Sequence, residues 1–282
     1  MPPNEILFSP WMLAVLGLCI GSFLNVVIHR LPLMLERDWK DESAEMLGVE
    51  LAPTPPLTLS TPRSRCPSCG HAIAWYENIP LASWLWLRGR CSACRTAISA
   101  RYPIIEVSTG LLFALVGWHF GAQPAALLVC GLVATLVALT FIDLDTQLLP
   151  DILTLPLMWA GIIAAARGWI PTTLGASVGG AVVGYLSLWF VASAFRILRG
   201  KEGMGGGDFK LLAALGAWMG WQMIPLIVLL SSAVGALVGI ALILFRSHGR
   251  EVPIPFGPYL AGGGIAAIFF GDQLMRLWLP RL

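Results

Sequence analysis

Charge is what this sequence has least of. Only 12% of its 282 residues are Asp, Glu, Lys or Arg, while 57% are hydrophobic and the mean hydropathy is +0.76. Soluble domains carry about a quarter charged residues, so the composition excludes an ordinary soluble enzyme and indicates an integral membrane protein whose surroundings are lipid. The net charge of +2 is too weak to suggest a nucleic-acid partner. A two-residue alternation of apolar and polar side chains is also missing, which argues for helices rather than a membrane barrel. No Lys or Arg precedes the first apolar run in MPPNEILFSPW, which carries Glu5 instead. A cleaved signal peptide needs a positive start, so the first span is expected to be a retained anchor. There is no extended internal repeat and no long low-complexity segment. The one sizeable soluble stretch, 29–102, is too short for an independent Rossmann-type domain.

What is present is a series of long apolar runs. About 20 apolar residues cross a bilayer as a helix, and eight candidates stand out: 7–28, 103–121, 124–142, 152–170, 173–195, 208–222, 223–245 and 256–275. The sixth is short and is expected to cross only partly. Nine basic residues lie in 29–102, four in 196–210 and two in 246–250, whereas the opposite side has only Arg167, Arg276 and Arg281. Basic loops stay in the cytoplasm. That side therefore holds the 29–102 insert and the 143–151 loop, and both termini lie outside. The fold class expected is an all-α polytopic membrane protein of about eight transmembrane helices, with a small zinc-stabilised cytoplasmic insert between the first two. Its parts are a first helix over 1–28, a four-cysteine insert over 29–102 and a membrane domain over 103–282.

Cys66-Pro-Ser-Cys69 and Cys91-Ser-Ala-Cys94 form two CxxC pairs separated by 21 residues. Each pair sits in a turn, and four thiolates so spaced are a preferred shell for structural zinc. Two disulfides are the alternative, disfavoured in a reducing cytoplasm. Four sulfur ligands leave no position open for water, so the role expected is structural: metal binding supplies folding free energy to a piece with little core. Cys19 and Cys130 lie within spans and read as packing residues.

Two carboxylates stand at the junctions of spans and polar loops. Asp143 lies in FIDLDTQLLPD (141–151) and Asp208 closes GMGGGD (203–208). Ionisable groups at membrane spans are costly and usually functional. Two carboxylates that meet can share a proton, one acting as base toward water and the other as acid, which is the chemistry of aspartyl proteolysis. Asp208 also stands where a helix starts, so capping is its plain alternative. Asp145 and Asp151 compete with Asp143, and the residues alone leave the three open.

With these strings in hand, the chain resembles the type IV prepilin peptidases. The likeness runs through GSFLNVVIHRLP (21–32), both CxxC pairs, ENIP (77–80), RYPIIE (101–106), FIDLDTQLLPD, KEGMGGGDFKLLAALGAW (201–218) and PIPFGPYL (253–260). The resemblance implies that Asp143 and Asp208 are catalytic. It implies cleavage of the short basic leader of prepilins and pseudopilins, after Gly and before a residue that is usually Phe, at the cytoplasmic face of the bacterial inner membrane. It further implies N-methylation of the new terminus with S-adenosylmethionine as donor, an activity linked in that family to the cysteine-bearing insert. A peptidase without methylation, and an ion-coupled transporter using the aspartates as a proton relay, are the alternatives.

Lesser residues carry weaker expectations. The stretch 36–50 holds six acidic and two basic residues and reads as a solvated helix or as a dock for a basic leader. Arg30 is expected to anchor at the interface. Glu106 is either a helix-start carboxylate or part of a cytoplasmic cavity. Lys210 either tunes Asp208 or snorkels.

Overall fold

The computed structural model describes residues 8–52, 54–201, 203–246 and 254–278. Glu5, Glu202, Arg250, Pro253 and Arg281, used above, lie outside them. Among the described residues the chain is almost wholly helical; extended pairing is confined to two isolated bridges, Arg65 with Ala72 and Arg90 with Ala97.

The helices are α1 (Pro10–Leu47), the short α2 (Ala82–Trp86), α3 (Arg101–Phe120), α4 (Pro124–Thr146), α5 (Asp151–Ala166), α6 (Leu174–Arg199), α7 (Gly206–Met219), α8 (Ile224–Arg246) and α9 (Gly257–Trp278). Every one of the eight apolar runs is a helix. Five stretches are long and apolar enough to cross a bilayer: α1, α3, α4, α6 and Trp221–Leu244, which includes α8. Helix α7, with 14 residues, is about 21 Å long against a hydrocarbon core of about 30 Å, as expected for a partial span. The protein is thus a helical membrane protein.

The chain divides into two compact units, Met1–Ala138 and Leu139–Leu282. In the first, α1 runs 38 residues, well past residue 28 where the sequence placed a boundary. The Ser9 hydroxyl caps its start, and Pro32 is tolerated within it. It stops only at Gly48, whose left-handed φ of 65° turns its N–H back onto the Ala44 and Glu45 carbonyls, the usual glycine stop. The acidic stretch is therefore mostly the exposed end of this helix. Helix α1 packs on α3 through small residues: a Cβ on Gly17 would lie 2.8 Å from Gly110 Cα, and one on Gly21 2.7 Å from Glu106 Cα. Close backbone approach of this kind is how helices associate where lipid offers no hydrophobic drive.

The second unit is built around α7, buried along nearly its whole length. Gly180 of α6 meets Gly216 of α7 backbone to backbone. Hydrogen bonds cross between helices here. Ser177 Oγ donates to the Ala217 carbonyl at 2.6 Å, and Trp218 Nε1 donates to the Leu157 carbonyl of α5 at 2.8 Å. Such bonds satisfy polar groups that lipid cannot. In the crossing stretches of α6 and α8 only 17% of residues are buried, leaving apolar faces for lipid.

Candidate active site

Asp143 sits near the end of α4. That helix closes where Gln147 adopts a left-handed φ of 55° and donates its N–H to the Asp143 carbonyl at 2.9 Å. Leu148, Leu149 and Pro150 then lead directly into α5. The helical turn points Asp143 inward, 4% exposed, and leaves Asp145 on the exposed side. Asp151 is also outside, its side chain 54% exposed and bonded through both oxygens to Lys210 Nζ at 2.7 and 2.6 Å. Burial thus separates Asp143 from its two neighbours, and Lys210 is engaged by Asp151 rather than by Asp208. An ion pair this exposed contributes about 1 kcal/mol or less.

Asp208 is the third residue of α7, after the Gly205 cap position, and is 8% exposed. Its Oδ1 is buried and has no hydrogen-bond partner among the described residues. A capping aspartate spends its oxygens on helix N–H groups; this oxygen is spent on nothing. A buried polar atom left unpaired costs about 1–3 kcal/mol, and such atoms concentrate where chemistry needs them. Asp143 and Asp208 lie close enough for their charges to interact.

Leu149 packs between Gly207, next to Asp208, and Gly257. A Cβ on Gly207 would lie 2.7 Å from Leu149 Cβ, and one on Gly257 3.1 Å from Leu149 Cδ1. Gly257, at the start of α9, also donates its N–H to Asp143 Oδ2 at 2.9 Å. The sequence reading quoted this residue within PIPFGPYL but gave it no role. Its lack of a side chain is required, because a Cβ there would stand 2.6 Å from Asp143 Oδ2. Gly257→Ala is accordingly expected to push Asp143 aside. A misplacement of about 1 Å costs on the order of 100-fold in rate, so kcat of a reaction that uses this carboxylate should fall about 10- to 100-fold with KM little changed. An unchanged kcat would show that the N–H does not position the carboxylate.

The four cysteines lie in the first unit. Two similar turns carry them: Cys66 donates its N–H to the His71 carbonyl, and Cys91 to the Thr96 carbonyl, both at 2.9 Å. Gly70 (φ 73°) and Arg95 (φ 60°) take the same left-handed position four residues after the first cysteine of each turn. All four Sγ atoms fall within 4.8 Å of one another, with Cys66 and Cys94 at 3.7 Å. Tetrahedral thiolates around zinc stand about 3.8 Å apart, whereas a disulfide closes to about 2.05 Å. The cluster could therefore hold a metal ion. The Thr96 hydroxyl beside Cys94 favours its thiolate, the form a metal requires, whereas Cys69, despite the His71 N–H, is pushed up to about 12 by the neighbouring Cys94 thiol.

A polar brace backs the two turns. His71 Nε2 lies 3.2 Å from Glu77 Oε2 and 3.3 Å from Ser92 Oγ, and Glu77 also accepts the Ala74 N–H at 2.8 Å. The Ser92 hydroxyl, then the Ala74 N–H and His71, hold the Glu77 carboxyl below its ordinary value. Neither His71 nor Ser92 was singled out from sequence. Arg30 acts as a clamp. Its guanidinium donates to the carbonyls of Thr58, Leu59 and Pro62 at 2.9, 3.3 and 2.6 Å, a fan of donors a lysine could not reproduce. Glu106 is 8% exposed and accepts the Leu81 N–H at 2.7 Å.

Membrane helices bearing two neighbouring buried aspartates near helix ends, with a thiol cluster elsewhere in the chain, define a polytopic membrane protein with an acidic site at the edge of its spans. The Bacterial Peptidase A24 N-terminal domain matches residues 15–120, and the Type IV leader peptidase family matches residues 130–240. The chain belongs to the type IV leader peptidase family. It is 54% identical over 276 residues to the prepilin leader peptidase/N-methyltransferase of Aeromonas hydrophila, covering 96% of this chain and 95% of that one. The protein of that name from Pseudomonas aeruginosa is 53% identical over 268 residues (94% and 91%), and the one from Burkholderia pseudomallei 51% over 267 residues (93% and 86%). No solved structure matches the chain.

Proposed function

We propose that this protein is a prepilin leader peptidase and N-methyltransferase of the bacterial inner membrane, with Asp143 and Asp208 as its proteolytic pair facing the cytoplasm. The observation that carries the reading is the burial of both carboxylates, near enough for their charges to interact, one oxygen of Asp208 having no partner among the described residues. Gly257 N–H fixes one oxygen of Asp143, leaving the other to take a proton from water. The hydroxide so formed adds to the scissile carbonyl carbon. Asp208 Oδ1 carries the shared proton and gives it to the developing oxyanion. Collapse of the tetrahedral species breaks the C–N bond: the proton held by Asp143 leaves with the amine, and one hydroxyl on the former carbonyl carbon returns its proton to Asp208 as the C=O bond re-forms, restoring the pair. Both carboxylates stand near helix ends, where an extended peptide can reach them; a transporter site would lie near midplane.

The substrates of this reading are prepilins and pseudopilins with a short basic leader ending in Gly. Cys66, Cys69, Cys91 and Cys94 hold a structural zinc ion. S-adenosylmethionine supplies the electrophilic methyl group for the second reaction. The test is reconstitution in lipid with a prepilin, with and without the methyl donor, reading product mass. Loss of the leader alone without donor, and a further gain of one methyl group with it, are expected. An intact prepilin would end the peptidase reading; a cleaved but unmethylated product would reduce it to a peptidase.

A further inference from the structure

The first unit holds a cavity of about 730 Å³ whose lining includes neither Asp143 nor Asp208. Its volume is typical of small-ligand sites, which run about 300–1,000 Å³. Glu106 lines it and is buried. The Leu81 N–H bonds this carboxylate, but no Lys, Arg or His pairs with it among the described residues. A buried carboxylate held by one neutral donor is poorly compensated whenever it is ionised, and a cationic ligand would complete it. Arg63 and Arg65 also line the cavity, are exposed at its margin, and form no ion pair among the described residues. Arg30 is already committed to backbone carbonyls. Trp84, Ile98 and Tyr102 add aromatic and apolar wall.

The complement of such a cavity is a molecule with a cationic group, a carboxylate and a flat ring system. S-adenosylmethionine has all three: a sulfonium and an ammonium, a carboxylate, and a purine. We infer that this cavity is the binding site of the methyl donor, with its cationic end toward Glu106, its carboxylate toward Arg63 and Arg65, and its purine along the wall of Trp84, Ile98 and Tyr102. The inference rests on the N-methyltransferase reading above and gives it a location.

The test is equilibrium dialysis of labelled S-adenosylmethionine against the full-length protein in lipid nanodiscs, with leader cleavage and methyl transfer to a pre-cleaved pilin measured on the same preparations. Glu106→Gln keeps an acceptor for the Leu81 N–H and removes the charge. Ala97→Trp, at an exposed lining position, fills the space without disturbing the core. Each should raise the dissociation constant about ten-fold or more, the size expected for one lost charge-assisted contact, while leader cleavage stays at the wild-type rate. If both variants bind the donor as the wild type does, the cavity is not the donor site, and methyl transfer by the wild type would leave the functional reading standing. If the wild type neither binds the donor nor methylates the pilin, the methyltransferase reading falls and this inference falls with it.

Discussion

Asp143→Asn and Asp208→Asn proteins are expected to cleave prepilin at least about 1,000-fold more slowly than the wild type, each by itself. Asparagine matches aspartate in shape and can still accept the Gly257 N–H at position 143, so the packing around Leu149 should survive. What it cannot do is take a proton from water or give one to an oxyanion. Because the two groups act as a unit, the double variant should be little slower than either single one. Methyl transfer to a pilin already freed of its leader should persist in both variants, which checks that the protein is folded. Asp145→Asn is the control: its side chain is on the exposed side of the same helix end, and cleavage should change by no more than a few-fold. Near wild-type cleavage by either buried-site variant would show that the acidic pair is not the peptidase centre.

The second large effect is expected at the cysteine cluster. The stretch carrying it has two short turns and a five-residue helix, and among its cysteines only Cys66 and Cys91 are buried. A piece with so little core depends on its staple; structural zinc contributes on the order of 10 kcal/mol to folding in small modules. Cys69→Ser with Cys94→Ser should therefore bring bound metal from one ion per chain to none. The segment between residues 58 and 99 should then become sensitive to trypsin, which has Arg63, Arg65, Arg88, Arg90 and Arg95 to cut there. Metal analysis and a digestion time course read this directly. A metal-free variant that resists trypsin like the wild type would show that the brace of His71, Glu77 and Ser92 holds the turns without help.

These two expectations differ in how far they can be read from residues alone. The cysteine cluster is a local affair: each CxxC turn is fixed by bonds spanning four or five residues, such as Gly70 N–H to the Cys66 carbonyl and Arg95 N–H to the Cys91 carbonyl, and the pattern is written in consecutive letters. The brace behind it was not legible, because His71 and Ser92 stand 21 residues apart and nothing in either CxxC turn says which side chain of the other it will meet. Lys210 is the opposite case. Its nearness in sequence to Asp208 suggested one partner, and the fold gave it Asp151, 59 residues away.

By itself the sequence determined that this is a helical membrane protein, where its apolar runs lie and that four thiols converge, since hydrophobic length and turn chemistry act over a few residues at a time. The resemblance of its motifs pointed to the two aspartates. Only the tertiary structure decided that α1 runs unbroken to Leu47, that Asp143 rather than Asp145 or Asp151 is buried, and that Arg30 clamps a loop. It alone placed the Gly257 N–H on Asp143, a contact spanning 114 residues. The reason is physical: burial and hydrogen bonding between distant segments depend on how helices dock, and no local propensity encodes which faces will meet.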